Sequence, residues 1–169
     1  TNLLLAVLAF TGLWEVRAAD VVKANNSTQV NLDGSWVGGD DPDADDIAVW
    51  NSTLSTAGNL QMTFSGDVSW GGIRILNPVG NVTTTVGNAV VTLGSGGIDM
   101  TAATANLTLS RDIVLSAAQT WDVASGRTLT IALSSGDQTV VNGGFLLTIQ
   151  GAGNTSIGEA ISGTGGLTK

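Results

Sequence analysis

The chain of 169 residues contains no cysteine, no histidine and no tyrosine. Without cysteine, no disulfide can staple the fold and no thiolate can hold a metal. Without histidine, the commonest general base and the commonest metal ligand are both missing. Proline occurs only twice, and charged residues make up 12% against 43% hydrophobic residues. That balance is the reverse of a disordered chain and is enough to bury a core. Basic residues number 6 against 14 acidic ones, a net charge of −8. Such a surface repels polyanions, so nucleic acid is excluded as a partner. What the chain has instead is glycine, 23 of it, with much Thr, Val, Ile, Leu, Asn and Ser. Branched side chains pack on a pleat, and Gly and Asn accept tight turns, so the composition predicts short strands joined by turns.

The apolar run Leu3–Phe10, extended by Gly12-Leu13-Trp14, is shorter than the roughly 20 residues that span a bilayer. It leads into Val16-Arg17-Ala18, whose small or aliphatic residues suit signal peptidase cleavage after Ala18. Residues 1–18 therefore read as a signal peptide, clipped at its N-terminus because no starting Met or basic segment precedes the run. A buried core helix is the competing reading. Export across the inner membrane follows from the first.

Beyond it, one theme recurs, aliphatic-Thr-aliphatic, at Val91-Thr92-Leu93, Leu107-Thr108-Leu109, Leu129-Thr130-Ile131 and Leu147-Thr148-Ile149, with Leu167-Thr168 starting a fifth copy. The spacings are 16, 22, 18 and 20 residues. Period-two alternation sends the aliphatics inward and Thr outward. Ile113-Val114-Leu115, Trp121-Asp122-Val123, Val140-Val141 and Ile157 supply further strands. Turns are expected at Gly94–Gly97, Ser125-Gly126, Ser134–Asp137, Asn142–Gly144 and Gly151–Asn154. Two or three short strands in about 20 residues is the layout of one coil of a parallel β-helix. An antiparallel sandwich or barrel uses similar pieces; the single repeated theme favours the solenoid. Residues 71–169 are expected to form coils. Residues 19–70, with Trp36, Trp50, Trp70 and an acidic run, are expected to form an N-terminal cap over the first coil.

Several segments resemble proteins with autotransporter-associated β-strand repeats: Gly34-Ser35-Trp36-Val37-Gly38-Gly39, Ile47–Ser52, Ser69-Trp70-Gly71-Gly72-Ile73, Gly97–Met100, Gln119–Leu129 and Ile161–Lys169. The resemblance implies a right-handed β-helical passenger, secreted or on a bacterial cell surface, that serves adhesion or holds something away from the cell. It supplies no catalytic residue, and any membrane attachment is expected through an anchor outside these residues.

Asp41, Asp43 and Asp45 within Asp40–Asp46 alternate as in a calcium loop, but without the glycine and distal glutamate of an EF-hand. A solvated loop that discourages aggregation is the plainer reading. Asp99, Arg111, Asp112, Asp122, Arg127 and Asp137 could supply the carboxylates and base of a polysaccharide-active β-helix, yet they stand singly at turn positions where Asp caps the backbone. Trp36 and Trp50, flanking the acidic loop, could stack on glycans; packing in the core or cap is the ordinary role. Asn26, Asn51, Asn81, Asn106 and Asn154 head Asn-x-Ser/Thr triplets, which arise by chance in a strand protein of this composition. Gly94–Gly97 lacks the helix and lysine of a phosphate loop. No catalytic, cofactor or metal residue is thus assigned. The expectation is a non-enzymatic stalk or adhesin that meets glycans or surface proteins and is prone to edge-to-edge self-association. A carbohydrate-active module is the alternative.

Overall fold

Alternation along each strand decides which side chains enter the core. In β7 (Leu107–Leu109), both leucines are buried and Thr108 is partly exposed. The same in-out pattern runs through β8 (Asp112–Leu115), β9 (Gln119–Val123) and β10 (Thr128–Ile131). In the computed structural model, which describes residues 18–132, 139–158 and 160–169, these strands pair in parallel and wind into a β-solenoid of about 5 turns. The antiparallel alternatives are thereby excluded. The residues expected to form the signal peptide and the turn at Ser134–Asp137 lie outside the described residues, apart from Ala18.

Three faces run along the solenoid. The first stacks β1 (Asp20–Val22), β2 (Ile47–Trp50), the C-terminal halves of β4 (Val68–Ile75) and β6 (Val90–Met100), then β9, β12 (Leu147–Gln150) and β15 (Leu167–Thr168). The second stacks the N-terminal halves of β4 and β6 with β8, β11 (Thr139–Gly143) and β14 (Ala160–Gly163). The third stacks β3 (Gln61–Met62), β5 (Val82–Thr84), β7, β10 and β13 (Asn154–Ile157).

Register places inward side chains over one another. On the first face Val21, Ala48, Ile73, Ile98, Trp121 and Ile149 form one column. Val68, Val91, Ile113, Val140 and Ile161 form another on the second. Val82, Leu107 and Leu129 line the third, ending on Thr155. These columns belong to one continuous apolar core. Outside, Gln61, Thr83, Thr108, Thr130 and Ser156 make a polar ladder up the third face.

The repeated Leu-Thr-aliphatic theme does not mark successive coils. The copies at Leu107 and Leu129 stack on the third face, those at Leu147 and Leu167 stack on the first, and the copy at Val91 stands on the second. The tripeptide is a good inward-outward-inward strand on any face, so its spacing mixes whole coils with steps between faces. A coil takes from 20 residues (Leu147 to Leu167) to 28 (Trp121 to Ile149).

The Gly94–Gly97 segment is likewise no free turn. It lies within β6, at the corner where one strand passes from the second face to the first, over Gly71-Gly72 of β4. A Cβ on Gly72 would meet Gly96 C at 2.7 Å and Gly97 O at 2.9 Å. Backbone there cannot give way as a side-chain tip could. Gly58, by contrast, has nothing within 4 Å of such a Cβ. Gly72→Ala is expected to destabilise the fold by about 3 kcal/mol, and Gly58→Ala to stay within about 0.5 kcal/mol. Urea unfolding of the two variants checks this; equal stabilities would contradict the packed corner.

Candidate functional site

The residues best placed to act together lie on the outer side of the first face. Arg74 points outward between Ile73 and Ile75, and its stacked successors are Asp99, Asp122 and Gln150. Arg74 Nε donates to Asp99 Oδ2 at 2.9 Å, and its Nη1 donates to both carboxylate oxygens of Asp20 at 2.7 Å. Asp99 Oδ1 accepts from the Thr101 backbone N–H at 3.0 Å and from its hydroxyl at 2.7 Å. Desolvation pushes the Asp99 carboxyl up, but the Thr101 and Arg74 hydrogen bonds outweigh it and hold the group below the ordinary carboxylate range. Asp122 Oδ2 accepts from Gln150 Nε2 at 2.6 Å. Like charges at Asp99 and Asp122 are thus stacked one coil apart, each with its own donor, and Arg74 ties β1, β4 and β6 together. Arg74 was not among the residues singled out by the sequence; its partnership with Asp99, one coil away, shows only once the coil length is known.

The other candidates are dispersed. Asp112 Oδ1 accepts from Thr139 N at 2.8 Å, and Arg127 Nη1 donates to Thr104 O at 2.7 Å, so each joins neighbouring coils. Arg111 sits at the corner before β8, stacked on Phe64. Asp137 lies outside the described residues. In the acidic loop, Asp43 Oδ1 accepts from Asp45 N at 2.8 Å and Asp46 Oδ1 from Ala19 N at 3.0 Å. Burial, reinforced by the neighbouring Asp33 carboxyl, raises Asp41 above its usual range. These carboxylates organise their own loop, and among the described residues no three acidic side chains gather as cation ligands would.

Glycan stacking on Trp36 and Trp50 is overturned by burial: they are 3% and 0% exposed. Trp36 packs edge-on against Trp50 and Trp70, with ring centroids 5.6 and 5.8 Å away, and its Nε1 donates to Val30 O at 2.9 Å. The Asn-x-Ser/Thr asparagines have structural work as well. Asn81 Oδ1 accepts from Asn106 N, and Asn106 Oδ1 accepts from Thr128 N, both at 3.0 Å, forming a ladder from coil to coil. Asn26 and Asn51 close turns onto the backbone N–H two residues on.

Lys23 had no signal in the sequence. It is 2% exposed, and its ammonium donates to Ala24 O, Asn26 O and Asn26 Oδ1, each at 2.9 Å. Three neutral acceptors satisfy its protons without supplying a counter-charge, and burial pushes its pKa down to about 8. Unfolded, it would keep its proton to about 10.4. Between these values the unfolded chain binds more protons, so stability rises with pH; below the lower one both states are protonated and the dependence disappears. The chain has no His, Cys or Tyr side chain to titrate in the same range. Urea midpoints are expected to climb as pH rises above about 8, and Lys23→Met to flatten that climb. A flat wild-type profile would contradict the buried cation.

No family model matches the chain, and neither a curated protein nor a solved structure is significantly similar to it. The fold and the polar ladder define the class alone: a parallel β-solenoid with charged side chains stacked on one face.

Proposed function

We propose that the chain belongs to an exported bacterial surface or secreted protein of autotransporter-passenger type, a right-handed β-solenoid that serves as a stalk or adhesin and not as an enzyme. The observation that carries this reading is the stack itself: columns in register on three faces, with outward polar ladders. Such a body performs its task by shape and by display of side chains. A right-handed wind accords with the strong preference of parallel β-connections for that hand. A cap within residues 19–70 is supported by Trp36, which lies against the inward Trp50 and Trp70, while β1, β2, β3 and the start of β4 in that span already pair into the solenoid. Residues 1–18 are assigned to a cleaved signal on the apolar run that ends in Val16-Arg17-Ala18. The partners of this reading are glycans or proteins of another surface, and nucleic acid is excluded by charge.

Fusion of residues 1–22, behind an added starting Met and basic segment, ahead of a leaderless alkaline phosphatase in a bacterial host tests export. Active periplasmic phosphatase, with the mature chain starting at Ala19, is the expected result; cytoplasmic retention would count against the whole reading.

A polysaccharide-active module has one observation in its favour, the juxtaposition of Asp99 and Asp122 beside Arg74 on adjacent coils. The stalk reading expects no new reducing ends or unsaturated products from acidic or neutral polysaccharides. Turnover that disappears in Asp122→Asn would decide for the enzyme.

A further inference from the structure

Arg111 is a buried cation without a counter-ion. It is 3% exposed, yet among the described residues no carboxylate lies within ion-pair distance of it, and the ion pairs there belong to Arg74. Its guanidinium lies over the Phe64 ring, Cζ 4.7 Å from the centroid, and Phe64 leans in turn on Trp70. Nη2 donates to Thr85 Oγ1 at 2.9 Å, while Nε is buried with no acceptor. Arginine carries five N–H donors, and one protein acceptor is recorded for them. Charged side chains are almost never fully buried unless paired.

The guanidinium forms one wall of a cleft of about 340 Å³, whose other walls include Ser65, Asp67, Thr85, Gly87 and Asn88. That volume is at the small end of ligand sites. Asp67 also lines the cleft but makes no ion pair with the arginine; its Oδ1 accepts from Val90 N at 2.8 Å and orders the start of β6. Gly87 lies directly against Nη1, so that a Cβ there would strike it. The bare glycine is what lets the guanidinium lie against this turn. A planar fork of N–H groups with vacant donors, flanked by the Asn88 amide, suits a carboxylate or a sulfate-like ion.

We propose that this cleft binds a small oxyanion, held by the Arg111 guanidinium with Asn88 as an additional donor. The site lies at the corner between the third and second faces, remote from the Arg74 ladder, and it stands independently of the stalk reading. The overall negative charge opposes anions at a distance, so binding is local, weak and selective for ligands that reach the guanidinium edge.

The test is a titration of the full chain followed by the ¹⁵N NMR signals of its arginine Nε–H groups, assigned with Arg111→Lys. Galacturonate and inorganic sulfate are added separately at constant ionic strength. The Arg111 signal is expected to shift saturably while those of Arg74 and Arg127 stay in place. Gly87→Ala, which keeps the charge but displaces the guanidinium, is expected to abolish saturation, and Asn88→Ala on the exposed turn to weaken it. A response to galacturonate alone identifies a sugar carboxylate as the ligand source, and a response to sulfate alone an inorganic ion; either supports the site. No saturable shift with either anion, or an equal shift of every arginine, would overturn it.

Discussion

Parallel pairing in register, coil upon coil, is the constraint on which the rest of this structure depends. It fixes which atoms sit above one another, and so it turns each inward position into a column and each outward position into a ladder. The column from Ala48 to Ile149 shows the consequence: a residue as small as Ala48 and one as large as Trp121 occupy the same line, and neighbouring columns adjust around them. A single coil has nowhere to bury its inner face, so the stability of any one depends on those beside it. Coil length is freer. Corners absorb extra residues while the strands keep their register, which is why coils of unequal length coexist in one stack.

Polar groups follow the same geometry. Gln119 Nε2 donates to Leu93 O and its Oε1 accepts from Trp121 Nε1, both at 2.9 Å, so the bulkiest member of the first-face column carries its own satisfied hydrogen bond. At the corners, Asn81 and Asn106 use side-chain carbonyls to receive the backbone N–H of the next coil. Their place in glycosylation-like triplets reflects a preference for Asn at the bend and Thr on the outward face of the strand that follows, two positions set by packing.

The strands were legible in the sequence because alternation is a local property. Leu107-Thr108-Leu109 declares its inward and outward sides without reference to anything else, and its parallel stacking on Leu129-Thr130-Ile131 follows from repetition. The coil period was not legible, because the same tripeptide serves on three faces and its spacing is no ruler. That error hid the Arg74–Asp99 pair, whose members are one true coil apart. Gly94–Gly97 looked like a turn since glycine marks both turns and close backbone approach; only the strand above it distinguishes the two. Lys23 gave no signal in the chain, and Arg111, though named among the charged candidates, gave no sign of its burial. Each is an ordinary surface residue by type, and what sets it apart is the lack of a carboxylate in a surrounding assembled from distant segments.

The windings of the stack are not all held alike. Around β1, β2 and β4, three tryptophans interlock and Arg74 reaches past β2 to grasp Asp20 of β1. Under mechanical load such a molecule should yield as a zip does, winding by winding, with the clasped windings the last to open. Tension would be released in discrete steps, each the length of one unwound circuit.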